Sequence, residues 1–541
     1  MTKLAQHLRK HLSGEVLADT QALDYFSTDG SIFRLMPRII VYPRNVTDLR
    51  KVVRFSWQLA EKGQILPITA RGKGTDQAGA ALGSGVVLVT PAHMNRLLGF
   101  NKKDVVVQPG MIYGDLQRTL QSHGRFLPPY PSSIEYSTLG GAVANNACGE
   151  KTYKYGCIRD YVKSLDVVLA NGQLIRAEKL SAKELSNKKG QTDFEGEIYR
   201  QLDGLLLDNK EMVSQVRKEV SKNSAGYALA QVRGSDGSFD LSKLFVGSQG
   251  TLGIVADITF STAAYNPHTH LIAAFFDDIS QAGEAVLRLR KVAPSAIEVV
   301  DDNLLDFLRQ HQPAQVEGVI SHELPKLMLL IEFDDPKKRQ REAKVKRTFK
   351  LLTRLAKQMR LTIDPEEQEQ LWHIRHSAAA VLWKEKGPKK ALPIIEDGVV
   401  PVAKLPEFLT RVYDLFKRHH LEIAIWGHAG DANFHMQPFL DLANTGDRQT
   451  IFKLMDEYYA MVIEMGGSTC GEHNDGRLRA PYLKDLYGEE IYRLFNEVKK
   501  IFDPFNFLNP GVKLGVAKDD LLPMMRQEYG MRHLHHLPRL A

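Results

Sequence analysis

Short apolar runs alternate with segments of helical spacing along the first 265 residues. Bounded apolar runs predict buried strands, and they lie at residues 38–43, 65–69, 86–90, 105–108, 165–169 and 174–176. Between the last two runs stands Asn171-Gly172, a strong hairpin signal. Apolar residues at helical spacing predict a helix over residues 46–62. The pattern therefore predicts an α+β domain over residues 37–265, preceded by a helical segment over residues 1–36.

From about residue 266 the pattern changes. It predicts a strand at 271–276, a helix at 279–293 and a further strand at 421–426. The long charged run over 334–360 is interpreted as the solvated face of a helix. We therefore predict an α/β substrate domain, or cap, over residues 266–490. A C-terminal helical segment over 491–541 follows, and its end from Met531 is expected to be frayed.

Composition excludes several classes of protein. The 541 residues are 43% hydrophobic and 25% charged, as in soluble globular proteins, and the sequence lacks an apolar run long enough to span a membrane. The first 18 residues lack the apolar core of a secretory signal. Three cysteines are too few for a disulfide framework or a cysteine-ligated iron–sulfur cluster. We expect a cytoplasmic protein, or one bound peripherally at the inner face of the membrane.

The net charge of +7 is modest for this length and is a weak sign of an anionic substrate or an acidic partner. No aromatic-laced basic cluster or nucleic-acid-binding motif accompanies the charge, so nucleic acid is not an expected partner.

A glycine-rich loop, Ala70-Arg-Gly-Lys-Gly-Thr-Asp-Gln-Ala-Gly79, follows the second predicted strand. Its glycines leave backbone N–H groups uncovered, and such a nest can hold a pyrophosphate, with Arg71 and Lys73 adding positive charge. The loop is neither a Rossmann fingerprint nor a Walker loop. Taken alone, it is equally consistent with a plain turn between strands.

Two later segments change that interpretation. Small residues dominate Thr138-Leu-Gly-Gly-Ala-Val-Ala-Asn-Asn-Ala-Cys-Gly149, as expected of backbone lying against a flat ring, and Val246-Gly-Ser-Gln-Gly-Thr-Leu-Gly-Ile-Val255 follows. The three segments, in this order, resemble the FAD-binding domain of the vanillyl-alcohol oxidase and p-cresol methylhydroxylase superfamily. The resemblance implies that FAD is bound by Arg71, Gly72, Lys73, Gly74, Thr75, Asp76, Gln77, Ser132, Thr138, Gly140, Gly141, Asn145, Gly149, Tyr155 and Ile254.

Relatives usually carry glutamate at Gln249, so a direct flavin role there is not expected. The first loop lacks the histidine of covalent-flavin members, which implies non-covalent FAD.

The segment Trp426-Gly-His-Ala-Gly-Asp-Ala-Asn-Phe-His-Met436 predicts two strands joined by a turn. If Asp431 and Ala432 form a two-residue loop, His428 and His435 lie directly opposite each other, with Cβ atoms about 4.5–5.5 Å apart. Glu472 can complete a His₂Glu set with open positions for substrate, as catalytic metal sites require. The alternative is that each histidine is an ordinary hydrogen-bonded residue.

These motifs resemble G-H-x-G-D-x-N-x-H and G-E-H of the D-lactate, D-2-hydroxyglutarate and glycolate dehydrogenase branch. In that branch the two histidines and the glutamate bind a divalent metal, so the resemblance implies Zn²⁺, with Mn²⁺ or Fe²⁺ as alternatives, on His428, His435 and Glu472. It also implies that His473 is the base, that Arg375 clamps the substrate carboxylate and that Asn509 lies near the flavin. Ala432 and Asn474 replace common glycines. Lys390 is a candidate for a second carboxylate, although a plain surface lysine is the simpler interpretation.

The resemblance implies an FAD-dependent 2-hydroxy-acid dehydrogenase, an oxidoreductase that acts on CH–OH. Hydride would pass from a D-2-hydroxy acid to flavin N5, giving the 2-oxo acid. The implied electron acceptor is a quinone, an electron-transfer flavoprotein or a separate iron–sulfur subunit. The alternatives are a flavin oxidase, an alkyl-transferase-type enzyme on the same fold, and a non-catalytic FAD-binding subunit of a larger oxidase complex.

Overall fold

The strands and helices follow from a computed structural model that describes residues 3–216, 218–320, 323–376 and 387–530. In chain order the strands are β1 Glu15–Leu17, β2 Ile39–Tyr42, β3 Ile68–Arg71, β4 Val86–Val89, β5 Leu97–Phe100, β6 Asp104–Val107, β7 Arg125–Phe126, β8 Val162–Val168, β9 Leu174–Leu180, β10 Phe239–Asp240, β11 Ile254–Ser261, β12 Ala263–Ala264, β13 His270–Phe276, β14 Ala296–Asp301, β15 Leu327–Phe333, β16 Gln358–Thr362, β17 Lys390–Ala391, β18 Ile423–His428 and β19 Asn433–Leu440.

The helices alternate with these strands throughout the chain. The α-helices are Lys3–His11, Thr20–Tyr25, Val46–Ala60, Tyr113–Ser122, Leu139–Asn145, Thr152–Tyr155, Ile158–Tyr161, Ala182–Lys189, Phe194–Asp208, Lys210–Gln215, Ser242–Phe245, Ile279–Leu289, Asp302–His311, Pro313–Val316, Lys338–Leu352, Pro365–His376, Leu405–Arg418, Thr445–Glu464, Leu483–Tyr487, Glu489–Phe502 and Lys518–Leu521. Short 3₁₀ turns lie at Thr90–Ala92, Leu229–Gln231, Arg290–Val292, Val402–Lys404, Ala429–Asp431, Ala480–Tyr482 and Leu522–Met524.

The first sheet carries the glycine loop and has the order β1-β2-β4-β3, with β2 and β3 both parallel to β4. The predicted second strand lies three residues later than expected, because Pro67 has no N–H to give to a strand ladder. The first 36 residues are not only helical: β1 pairs antiparallel with β2, so the N-terminal segment joins this sheet.

The second sheet is antiparallel, with the order β10-β9-β8-β11-β6-β5. The predicted hairpin around Asn171-Gly172 is confirmed, since Val168 pairs with Leu174 across it. Residues that alternate along these strands share one hydrophobic core with the helix Glu489–Phe502. The helix Glu489–Phe502 therefore belongs to the same core as the second sheet.

The third sheet lies in the second half of the chain, with the order β16-β13-β15-β14-β18-β19-β17 and antiparallel pairing throughout. One face packs against the helices Ile279–Leu289, Lys338–Leu352, Leu405–Arg418 and Thr445–Glu464. The other face packs against Asp302–His311 and Pro365–His376. The predicted charged helix is confirmed, because Lys338–Leu352 buries only Arg341, Val345, Thr348 and Leu352.

After the helix Glu489–Phe502 the chain returns to the glycine loop. Leu508 forms a parallel bridge with Ile68 at the start of β3, and Asn509 follows directly. Of the helices in the described ranges, none is both long enough and apolar enough to cross a membrane. The mixed helix and sheet composition confirms the predicted α+β class. The tail from Met531 lies outside the described residues.

Candidate active site

A cavity of about 300 Å³ lies between the three glycine-rich segments that the sequence singles out. Most of the predicted FAD residues line it: Arg71, Gly72, Lys73, Gly74, Thr75, Asp76, Gln77, Ser132, Thr138, Gly140, Gly141 and Asn145. Gln249 also lines it, which sequence reasoning did not expect. Its side chain joins the segments, since Nε2 donates to Asn145 Oδ1 at 2.9 Å and Oε1 accepts the Gly476 N–H at 2.9 Å.

Small residues form this wall because the backbones lie close together. A Cβ atom at Gly72 would stand 2.3 Å from Thr138 Oγ1, and one at Gly140 would stand 2.6 Å from Pro109 Cβ. Thr138 caps the helix Leu139–Asn145, its Oγ1 accepting the Gly141 N–H at 3.2 Å. The segments thus form a narrow cleft whose wall is mainly backbone, which suits a flat ring and a pyrophosphate.

The glycine loop is held from behind by charged side chains. Arg71 donates to the carbonyl oxygen of Thr28 at 2.8 Å, and Asp76 accepts the Ala80 N–H at 2.7 Å. Asp29 lies in the same buried region. Burial and the neighbouring Asp76 raise the pKa of Asp29 to about 7.

Four predicted FAD residues lie outside the cavity wall. The Gly149 backbone packs on Tyr130, where a Cβ would stand 1.9 Å from the carbonyl oxygen, and Ile254 is a core residue of β11. Tyr155 donates to Asp334 at 2.8 Å. Asn509 is buried and donates to the carbonyl oxygens of Ala80, at 2.9 Å, and Gln249, at 2.7 Å. These contacts support the loops of the cleft, and direct contacts with FAD stay predictions.

Beside the cleft, two imidazoles and a carboxylate converge. His428 Nε2 lies 3.0 Å from Glu472 Oε1, and His435 Nε2 lies 3.2 Å from the same oxygen. One ligand atom from each of the three residues falls within 4.8 Å of the others. Glu472 lines the cavity, whereas both histidines are almost fully buried behind it.

The hydrogen-bond partners of these imidazoles are compatible with a metal site. His428 Nδ1 lies 2.9 Å from Glu298 and His435 Nδ1 lies 3.1 Å from Glu396, and an ionised carboxylate only accepts. A neutral imidazole with its proton on Nδ1 presents a bare lone pair at Nε2. When both rings are neutral, two lone pairs face one carboxylate oxygen, an arrangement that a divalent cation would stabilise. Carboxylates behind metal-binding histidines are typical of such sites.

Electrostatics separate the two histidines. Burial disfavours charge on both, but Glu298 and Glu472 raise the pKa of His428. Burial lowers the pKa of His435 to about 4, so this ring is neutral and able to bind a metal. Burial opposes ionisation of Glu472, but His428 and Lys222 hold its pKa well below the usual value.

The predicted register between the two histidines is wrong. Ala429–Asp431 form a 3₁₀ turn and Ala432 is left-handed at φ 51°, so the loop is longer than two residues. As a result His428 pairs with Asn433, and His435 pairs with Trp426. The histidines are diagonal neighbours on one face, with ring centroids 5.5 Å apart, which is within reach of a shared metal. Ala432 and Asn474 both have left-handed backbone, at φ 51° and 67°, a conformation that favours glycine.

His473 is the most exposed residue of this cluster and lines the cavity. Its Nδ1 lies 2.5 Å from Glu396 Oε2, and its Nε2 lies 3.8 Å from Glu472 Oε1. Arg375 is buried and donates from Nε and Nη2 to Glu298 Oε2, at 2.9 and 2.8 Å. Lys390 lies in β17, and Lys390 pairs with Leu440 of β19.

Sequence reasoning missed the residues that surround the ligands. Glu298, Glu396, Lys222 and Arg479 are buried charged residues in this cluster. A fifth, Asp397, accepts the backbone N–H groups of Glu472, at 3.0 Å, and His473, at 2.7 Å. The available signal was a Glu-Asp pair inside the otherwise apolar run 392–400, but this pattern does not specify its partner.

Two protein families match the chain. The family described as "FAD binding domain" matches residues 37–178, and "FAD linked oxidases, C-terminal domain" matches residues 266–512. The chain is 29% identical over 494 residues to glycolate oxidase subunit GlcD of Bacillus subtilis, covering 88% of this chain and 89% of that protein. It is 26% identical over 514 residues to D-2-hydroxyglutarate dehydrogenase of Pantoea ananatis, covering 92% of this chain but 50% of that protein.

The fold is shared with a solved structure of p-cresol methylhydroxylase with substrate bound, at a TM-score of 0.69 and 14% identity over 96% of this chain and 97% of that one. The chain therefore spans about half the length of the D-2-hydroxyglutarate dehydrogenase and nearly the whole length of the other two proteins. The chain therefore carries an FAD-binding domain over residues 37–178, followed over residues 266–512 by the C-terminal domain found in FAD-linked oxidases.

Proposed function

We propose that the protein is an FAD-dependent dehydrogenase that oxidises a 2-hydroxy acid of the D-lactate, D-2-hydroxyglutarate or glycolate class to the 2-oxo acid, with the help of a divalent metal. The observation that carries the proposal is the convergence of His428, His435 and Glu472 within 4.8 Å, beside His473 in the cavity wall. Relatives named for these hydroxy acids support the substrate class.

His428 and His435 would hold the metal through Nε2, and Glu472 through Oε1. A divalent cation there, zinc or else manganese or iron, supplies a Lewis acid that lowers the pKa of the substrate hydroxyl. With three protein ligands, the metal would remain accessible to the substrate. The buried carboxylates behind both histidines orient the rings before any ligand enters.

His473 is the proposed base. Glu396 holds its Nδ1, so Nε2 is the acceptor that takes the hydroxyl proton from a substrate in the cavity. Of the cluster, His473 alone has a substantially accessible side chain, at 27%, whereas the side chains of His428 and His435 are at most 7% accessible. This difference supports proton transfer by His473 and metal binding by the other two.

Substrate binding and electron transfer complete the proposal. FAD, held non-covalently in the glycine cleft, supplies the hydride acceptor at flavin N5. Arg375 is fixed by its two contacts with Glu298, and the remaining edge of its guanidinium is proposed to bind the substrate carboxylate. Lys390 is a second candidate for a diacid. The electron acceptor is proposed to be a quinone, an electron-transfer flavoprotein or a separate iron–sulfur subunit of a cytoplasmic or membrane-peripheral complex.

The proposal is tested by purifying the protein anaerobically and following flavin absorbance after adding D-lactate, D-2-hydroxyglutarate and glycolate separately. Each acid is tested with and without a metal chelator. We expect one acid to bleach the flavin, and the chelator to abolish the bleaching. A flavin that stays oxidised with every acid would contradict the proposed substrate class and favour an alkyl transferase on the same fold. Bleaching that the chelator does not affect would remove the metal from the reaction.

A further inference from the structure

One carboxylate oxygen serves two imidazoles in this cluster. Glu396 Oε2 lies 3.1 Å from His435 Nδ1 and 2.5 Å from His473 Nδ1. The two rings are stacked, with centroids 4.8 Å apart and planes 19° from parallel. Glu396 is fully buried, and its other oxygen accepts from Arg479 Nη2. Hydrogen bonds to Arg479 and to both rings therefore hold the Glu396 carboxylate.

These contacts fix where the protons lie. An ionised carboxylate only accepts hydrogen bonds, so both Nδ1 atoms must donate to it. In a neutral imidazole this leaves Nε2 without a proton. His435 Nε2 then faces Glu472 Oε1 at 3.2 Å, where a cation would bind, and His473 Nε2 faces the same oxygen at 3.8 Å from the cavity side.

We propose that Glu396 is a positioning residue that sets the tautomer of a metal ligand and of the base together, through one shared oxygen. The inference rests on the proposed function, in which His435 binds the metal and His473 takes the proton. With a proton on its Nε2, His435 could not bind a cation. With a proton on its Nε2, His473 could not accept one from the substrate. A single side chain thus couples metal binding to proton transfer.

Glu298 is the natural control, because it has the same surroundings with one imidazole instead of two. Its Oε1 accepts from His428 Nδ1 at 2.9 Å, and its Oε2 accepts from a buried arginine, Arg375. Both glutamates are buried, and each stands behind one proposed metal ligand. They differ in that only Glu396 also contacts His473. If the Glu396 variant loses more activity than the Glu298 variant, the additional loss therefore reports on the proposed base, His473.

Replacing Glu396 by glutamine should reverse both tautomers. Arg479 needs an acceptor, so the amide oxygen turns toward it and the amide NH₂ faces the two Nδ1 atoms. Each Nδ1 must then accept, and each Nε2 carries the proton. Glu298→Gln should do the same to His428 only.

The experiment measures zinc affinity by competition with a chromophoric chelator, and flavin reduction by anaerobic stopped flow at saturating zinc, in the FAD-loaded protein. We expect both Glu396→Gln and Glu298→Gln to lower zinc affinity by about 10- to 100-fold. At saturating zinc we expect Glu396→Gln to reduce the flavin about 100-fold or more slowly than wild type, as for loss of a general base. The decrease in the rate of flavin reduction should be at least tenfold greater for Glu396→Gln than for Glu298→Gln. The substrate KM of Glu396→Gln should change by a smaller factor than this rate.

Two results would overturn the inference: zinc affinity in Glu396→Gln equal to that of wild type, or flavin reduction at saturating zinc no slower than in Glu298→Gln. Glu396→Asp keeps a charge for Arg479 but draws the shared oxygen back from the rings. It should lie between wild type and Glu396→Gln in both measurements, and it carries the test if the glutamine variant does not retain FAD. A wild-type flavin that no hydroxy acid reduces would instead refute the proposed function, and the zinc comparison would still decide on Glu396.

Discussion

Lys222 and Glu472 form a buried ion pair of 2.8 Å, in which Lys222 Nζ takes Oε2 and leaves Oε1 to the two histidines. The Lys222 side chain is fully buried, and Asp431 Oδ2 lies 3.6 Å from the same ammonium. Among the residues that the structure describes, neither carboxylate oxygen of Asp431 has a hydrogen-bond partner. Lys222 is therefore the cation that balances two carboxylates at this edge of the cluster.

Lys222→Met should destabilise the metal-free protein strongly. It leaves Glu472 and Asp431 as uncompensated charges in the interior, and breaking a buried pair in this way costs about 3–5 kcal/mol. Urea unfolding in the presence of a chelator measures this loss. Zinc should restore more stability in the variant than in wild type, because the metal replaces the missing positive charge. A variant that is as stable as wild type without metal would contradict this account.

His428→Ala and His473→Ala should separate metal binding from proton transfer. The first should lose both bound metal and turnover while it retains FAD, since His428 lies outside the cavity wall. The second should retain the metal and slow flavin reduction by about 10²- to 10⁴-fold. Metal analysis, flavin absorbance and stopped-flow reduction check the pair. Full turnover in His428→Ala would remove the metal from the mechanism.

Arg375→Ala should raise the substrate KM and lower kcat/KM, because a carboxylate clamp contributes to substrate binding. The ion pair with Glu298 predicts a second effect, since Glu298 also holds His428. Metal affinity should therefore fall as well, which a chelator competition measures. Arg375→Lys is the matched control, because it keeps the charge but cannot make the same two contacts. An unchanged KM in Arg375→Ala would exclude it from the carboxylate site.

Two adjacent glycines should respond differently to alanine. A Cβ at Gly140 would stand 2.8 Å from the carbonyl oxygen of Pro109, which cannot turn aside, whereas at Gly141 the nearest contact is Thr138 Oγ1 at 3.2 Å. Gly140→Ala should lower the melting temperature of the protein even without FAD. Gly141→Ala should keep more of that stability and mainly weaken FAD binding, because Gly141 lines the cavity. Equal melting temperatures for the two apoproteins would contradict the packing argument.

Asp29 predicts a pH dependence of stability. Burial and Asp76 raise its pKa to about 7, from a value near 3.8 in the unfolded chain. The folded protein therefore holds a proton that the unfolded chain releases between about pH 3.8 and 7, and stability falls as pH rises through that window.

Asp29→Asn should remove this slope. Its Oδ1 can still accept from Ser31, and Oδ2, which has no hydrogen-bond partner within the described ranges, becomes an amide nitrogen. At about 1.4 kcal/mol per pKa unit, the gain above pH 7 has a ceiling of roughly 4 kcal/mol, with little change near pH 4. Urea unfolding of both proteins at pH 5 and pH 8 measures the difference. The raised pKa would be contradicted if the stability gained by Asp29→Asn over wild type were no larger at pH 8 than at pH 5.

The sequence by itself determined the local features of this protein. The glycine-rich segments could be recognised from the sequence, because two backbones that approach closely require residues without side chains, as at Gly72 and Gly140. Several strands were also predictable from apolar runs, and the hairpin around Asn171-Gly172 from its turn residues. The residue types of the proposed metal site were readable as well, because imidazole and carboxylate groups are common cation ligands.

Only the tertiary structure decided how those residues meet. The turn Ala429–Asp431 shifted the histidine register, because a 3₁₀ turn and a left-handed Ala432 are properties of backbone conformation. Pairing of β14 with β18 sets Val299 opposite Gly427 and brings Glu298 beside His428 from 130 positions away. Glu396 reaches two imidazoles on different segments in the same way. Such contacts depend on which strands and loops become neighbours, and no pattern within one segment specifies its partner.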